Sequence, residues 1–127
     1  MELPSKVFVA GHRGMVGSAV VRRLRFTDCH VVTRSHEDLD LCDPDATDRF
    51  LQAARPDAVV MTAAKVGGIV ANQSTPVEFL SDNIRMTTNV LRSSHRAGIS
   101  RLLMLGSTCI YPRECRQPMR ETDLLTV

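Results

Sequence analysis

The sequence predicts an α/β fold: a parallel sheet of four strands with helices on both faces. Three observations predict it. Four short apolar runs, Val7–Ala10, Val31–Thr33, Ala58–Met61 and Leu102–Leu105, are continuous rather than alternating, as in strands buried on both faces. Segments of helical periodicity lie between them. The resulting order, β-α-β-α-β-α-β, is that of right-handed parallel crossovers.

The first helix is expected from Met15 to Phe26, with Val16, Ala19, Val20 and Leu24 on its buried face and Ser18, Arg22 and Arg25 turned outward. The second opens at Asp43-Pro44, a capping residue followed by a proline suited to the first turn. Its apolar side is Phe50, Leu51 and Ala54, and Pro56 lies just past its end. The third opens at Thr75-Pro76-Val77-Glu78, which fits a capping box. Val77, Leu80, Ile84, Thr88 and Leu91 then recur at steps of three and four, and Gly98 marks the stop. Periodicity is lost after Tyr111-Pro112. The expected division is therefore an α/β domain over 1–111 and a loop or tail over 112–127.

Bulk properties narrow the function. The chain has 127 residues, enough for one domain with a modest core. Its net charge of +2 and aromatic content of 4% give no case for nucleic acid or an anionic membrane as partner. The apolar runs fall far short of the roughly 20 residues that span a bilayer. Cys29, Cys42, Cys109 and Cys115 lack zinc-site spacing, and the chain shows no signal-peptide pattern. Reduced thiols and a cytoplasmic location are expected. His12, His30, His36 and His95 are scattered over different elements, so no metal site is expected.

The segment most charged with chemistry is "GHRGMVGSA", Gly11 to Ala19, between the first strand and the first helix. A glycine-rich turn in that context cradles a pyrophosphate, as in Rossmann-type sheets. Gly11 permits the tight turn, Gly14 lets phosphate approach the backbone, and Gly17 lets helix and strand pack closely. The helix start offers free N–H groups and a positive dipole end. NAD-binding chains place an acid at the end of the second strand, against the ribose hydroxyls. Here that strand ends Val32-Thr33-Arg34-Ser35-His36, with no acid before Glu37. Arg13 in the turn and Arg34 after the strand suit a 2′-phosphate, so NADP(H) is the expected cofactor.

Three segments, "GHRGMVGSA", "AAKVGGIVAN" and "LGSTCIYP", together resemble the GDP-L-fucose synthase family of extended short-chain dehydrogenase/reductases. The likeness runs from Lys6 to Leu125. Members reduce and epimerise GDP-4-keto-6-deoxy-D-mannose with NADPH, and the resemblance implies the same substrate and a homodimer. It places Gly11, His12, Arg13, Gly14, Met15, Val16 and Gly17 at the pyrophosphate, with Arg13, Arg34 and His36 near the 2′-phosphate. Asp40 and Leu41, in "DLDL", fall on the adenine side. Ala63, Ala64 and Lys65 line the cofactor after the third strand, Gly67-Gly68 shape the next loop, and Leu105 and Gly106 follow the fourth strand. Ser107 matches the serine that bonds the substrate's C4 carbonyl oxygen, and Cys109 the acid/base of epimerisation. Both types suit the chemistry: a hydroxyl steadies charge on a carbonyl oxygen, and a thiol exchanges protons.

Some positions depart from the family. Thr108 stands where a second serine is common, and Gln73 and Ser74 alter the loop "ANQSTPVEF". The family's Tyr-x-x-x-Lys pair lies past the last residue, so the resemblance implies that residues 1–111 are an incomplete NADP-binding Rossmann domain. Tyr111 cannot replace that tyrosine, because Cys115 stands where the lysine would be. This chain alone is therefore expected to be inactive. The alternative expectation is a non-catalytic nucleotide-binding or subunit-interaction protein. The fourth strand is expected beside strand one and a missing fifth strand, leaving an apolar edge that favours self-association.

Overall fold

The structure, a computed structural model, describes residues 4–124 apart from the side chain of residue 69. Residues 125–127, the end of the expected tail, lie outside the described residues. Strands β1 (Lys6–Ala10), β2 (His30–Val32), β3 (Ala58–Met61) and β4 (Arg101–Met104) form one sheet in the order β2-β1-β3-β4. All three pairings are parallel. The strands fall where the apolar runs predict them, but β4 pairs with β3 and not with β1. Both edges of β1 are already taken, by β2 and β3, and the fourth strand adds at the free edge of β3. The strand order changes direction between β1 and β3. The crevice at their carboxyl ends is where open α/β sheets bind ligands.

Among the described residues the α-helices are α1 (Met15–Leu24), α2 (Pro44–Ala54), α3 (Ile69–Ser74) and α4 (Pro76–Arg96). Side chains along β1 alternate between the two faces. Val7 and Val9, with Ala58, meet Val20, Val21 and Leu24 of α1. Phe8 and Ala10, with Val59 and Met61, join Leu51 of α2 and Val90 of α4 in the larger core.

The cap of α2 forms as its sequence predicts: Asp43 Oδ1 accepts the N–H groups of Asp45 (2.9 Å) and Ala46 (3.0 Å). Gly98, at φ +72°, ends α4, and the Ile99 N–H closes on the Ser94 carbonyl at 2.9 Å. The box at Thr75 does not form. The short helix α3, which no sequence signal announces, ends against it, and Thr75 Oγ1 donates to the Ala71 carbonyl at 3.4 Å instead.

Two helix faces also differ from expectation. Gly17 is the buried residue of α1 and sets the packing face at 17, 20, 21 and 24. Val16 and Ala19 consequently face solvent, and the helix stops at Leu24 rather than Phe26. On α4 the predicted stripe is exposed: Val77 is 73%, Leu80 65%, Ile84 55% and Leu91 43% accessible, and Thr88 is exposed too. The buried face carries Asn89, Val90, Ser93 and Ser94. These small or polar residues pack where α4 meets α2, whose Thr47 is likewise fully buried. Small side chains let the two helices approach closely, so the inward face is not the most apolar one.

Candidate functional site

The site begins where β1 ends. Gly11 has φ +83°, and a Cβ on it would lie 2.6 Å from the Ala63 nitrogen. A Cβ on Gly17 would collide with the Gly11 carbonyl and stand 2.6 Å from Thr62 Oγ1. Turn, helix start and β3 thus touch backbone to backbone. Thr62, unremarked in the sequence, secures the junction: its hydroxyl donates to the Ala10 carbonyl at 2.7 Å, with the Gly11 carbonyl 3.3 Å away. Gly14 caps α1 without a side-chain bond, and the first turn carries no acid. The positive end of the helix is therefore free for an anion.

A cleft opens above this junction. It is lined by Gly11, His12, Arg13 and Gly14 of the turn, by Arg34, Ser35, His36, Leu39 and Leu41 after β2, and by Ala63 and Met86. A polar recess adjoins it, lined by His12, Arg13, Thr33, Arg34, Ser35 and Asp38. A wider apolar cleft continues along Met15, Val16 and Gly17 to Cys42, Ala63, Ala64, Lys65 and Leu105. The clefts share lining residues and make one groove. Most of the candidate cofactor residues therefore come together. Asp40, Gly106, Ser107 and Cys109 do not line it. Asp40 shapes the adjoining turn by accepting the Cys42 N–H at 2.8 Å, and lies 4.0 Å from His36 Nδ1. Ser107 and Cys109 are exposed just past β4, where Ser107 Oγ accepts the Cys109 N–H at 3.2 Å.

The charges have definite partners. Arg34 donates to the Thr33 carbonyl at 2.7 Å and lies 5.1 Å over the Phe50 ring, a cation–π contact that orients the guanidinium. Asp38 accepts from the Ser35 hydroxyl at 2.7 Å. That bond, the Ser35 N–H and the charges of Arg34 and Arg13 hold its carboxyl below the usual range. Lys65 pairs with Asp82 at 2.6 Å, which raises its pKa, and lies over the Phe79 ring. Burial, ahead of the nearby Asp40 and Asp82 charges, pushes the Cys42 thiol up. Sequence reasoning did not single out Thr62, Met86, Asp82 or Asn83. The one signal for the last pair is a polar Asp-Asn step between Leu80 and Ile84.

Compared with known families, residues 7–126 match the NAD dependent epimerase/dehydratase family. The chain belongs to this family. A family relative, the GDP-L-fucose synthase of Sinorhizobium fredii, is 48% identical over 121 residues, 95% of this chain and 38% of that protein. A solved structure named DdhaC superposes with a TM-score of 0.91 at 33% identity, over 98% of this chain and 36% of its own. A GDP-L-fucose synthetase from Naegleria fowleri, solved bound to NADP, superposes at 0.82 and 27% identity, over 98% of this chain and 39% of its own. The chain thus spans about two-fifths of the length of the family members it matches. Among the described residues no helix is long and apolar enough to cross a membrane.

Proposed function

We propose that this chain is the NADPH-binding part of a GDP-sugar epimerase/reductase of the GDP-L-fucose synthase kind. The observation that carries the reading is the polar recess, where Arg13 and Arg34 flank the groove beside the glycine turn. The groove fits a dinucleotide in its own terms. Gly11 and Gly17 let the turn, the helix start and the chain after β3 pack backbone to backbone, α1 offers an uncapped N-terminus to pyrophosphate, and the two guanidiniums offer forked donors to a 2′-phosphate. Leu39, Leu41 and Met86 supply an apolar bed for the adenine side. NADPH, when bound, supplies the hydride.

The substrate reading is GDP-4-keto-6-deoxy-D-mannose, carried by similarity to the synthases. Ser107, whose oxygen accepts the Cys109 N–H and whose O–H can still donate, would then hydrogen-bond the C4 carbonyl oxygen. Cys109 would exchange the proton on the carbon beside that carbonyl. The chain carries no Tyr-x-x-x-Lys pair. A positioned acid of that kind is worth about 10²- to 10⁴-fold in rate, so these 127 residues alone are read as binding without turnover. A cytoplasmic location suits this role.

A second reading, a non-catalytic subunit-interaction protein, is favoured by one observation. Val77, Leu80, Ile84 and Leu91 lie exposed along α4 at coiled-coil spacing, a seam suited to a second copy of the chain. The test of the main reading is Arg13→Ala combined with Arg34→Ala. The double variant should lose about 100-fold in NADPH affinity with NADH binding unchanged, as expected for two charged hydrogen bonds. Equal loss for both cofactors would refute it.

A further inference from the structure

The interior side of α4 carries two asparagines, Asn83 and Asn89, that the cofactor reading does not use, with Met86 between them. Asn83, Met86 and Asn89 recur every three residues. Met86 lines both the narrow and the wide cleft. Neither asparagine lines the groove, yet each holds one of its walls. Asn89 is buried, and its Nδ2 donates to the Leu41 carbonyl at 2.9 Å, on the adenine-side wall. Asn83 pairs both ways with the backbone of Lys65: Oδ1 accepts its N–H at 2.8 Å and Nδ2 donates to its carbonyl at 2.9 Å. Asn83 Nδ2 also reaches the Phe79 carbonyl at 2.8 Å, which ties this amide to its own helix. The Lys65–Asp82 ion pair adds a second tie to the same loop. Both walls are irregular chain, residues 33–43 and 62–68, so no strand ladder fixes their separation.

We propose that α4 sets the width of the groove, with Asn83 positioning the loop after β3 and Asn89 positioning the adenine-side loop. The assignment rests on the dinucleotide reading above. It predicts an asymmetry that a merely structural asparagine would not produce. Adenosine 2′,5′-bisphosphate fills only the adenine and 2′-phosphate side, whereas NADPH spans both walls.

The test is calorimetric titration of the wild-type chain, Asn83→Ala and Asn89→Ala with each of these two probes. Asn83→Ala should weaken NADPH about tenfold, the scale of one or two lost hydrogen bonds, and leave the bisphosphate within about twofold. Asn89→Ala should weaken both probes about tenfold. If the buried Asn89 variant fails to fold by circular dichroism, the Asn83 pair of titrations decides alone. Equal weakening of both probes by Asn83→Ala, or no weakening of either, overturns the assignment. A wild-type chain that binds neither probe overturns the dinucleotide reading itself, and this assignment with it.

Discussion

Gly17 has no room for a methyl group between the Gly11 carbonyl and the Thr62 hydroxyl. Gly17→Ala must push α1 away from the turn, and overpacking of this kind costs about 1–3 kcal/mol. The variant is expected to unfold at lower urea and to lose NADPH binding, read by denaturation and by nicotinamide fluorescence. Unchanged stability would mean that α1 moves freely over the turn. At this scale the sequence was legible wherever function rests on local sterics or local bonds. Three glycines in register, and Asp43 ahead of Pro44, can be read without knowing the fold. Thr62 and Asn83 could not be read that way, because their partners, Ala10 and Lys65, are supplied by other elements. The positive φ of Arg55 (41°), an uncommon conformation for a side-chain-bearing residue, is likewise invisible before folding.

At the scale of elements, the strand positions followed from short apolar runs, but two outcomes depended on neighbours. The placement of β4 was decided by β3 occupying the free edge of β1. The orientation of α4 was decided by close packing on α2, which turns Asn89, Ser93 and Ser94 inward and leaves the apolar stripe outside. Periodicity revealed that stripe but not what would cover it. If a second copy covers it, Ile84→Lys will sediment as a monomer at concentrations where the wild-type chain associates. Its folding stability should change by no more than about 0.5 kcal/mol, as for an ordinary surface site. A monomeric wild type would contradict this. The start of β1 has its own signature. Asp57 accepts from the Ser5 hydroxyl (2.7 Å) and the Lys6 N–H (2.8 Å), and these bonds lower its pKa. A carboxyl depressed in the folded state contributes stability above its unfolded pKa, here about 3.8. That contribution is lost as pH falls through the lower folded value. Asp57→Asn should therefore flatten the acid limb of the stability profile below about pH 4, measured by urea melts at stepped pH. An unchanged acid limb would show that the bonds do not discriminate between the charged and neutral forms.

For the whole molecule, the sheet reverses its strand order between β1 and β3. Around that crevice lie the glycine turn, the two arginines and the loop after β3. The segments come from residues 11–17, 34–41 and 63–65, far apart in sequence, yet the β-α-β order alone brings them together. Ser107 and Cys109 stand outside the groove, beyond β4. The groove proposed for the cofactor and the two residues proposed to act on the sugar therefore lie apart in this chain, and binding is the part that can be measured directly. The decisive measurement is a titration of the purified 127-residue chain with NADPH and with NADH, followed by nicotinamide fluorescence. Arg13 and Arg34 at the recess predict saturable NADPH binding at least about tenfold tighter than NADH, the scale of one charged hydrogen bond to the 2′-phosphate. Equal affinities, or no binding of either, would contradict the account.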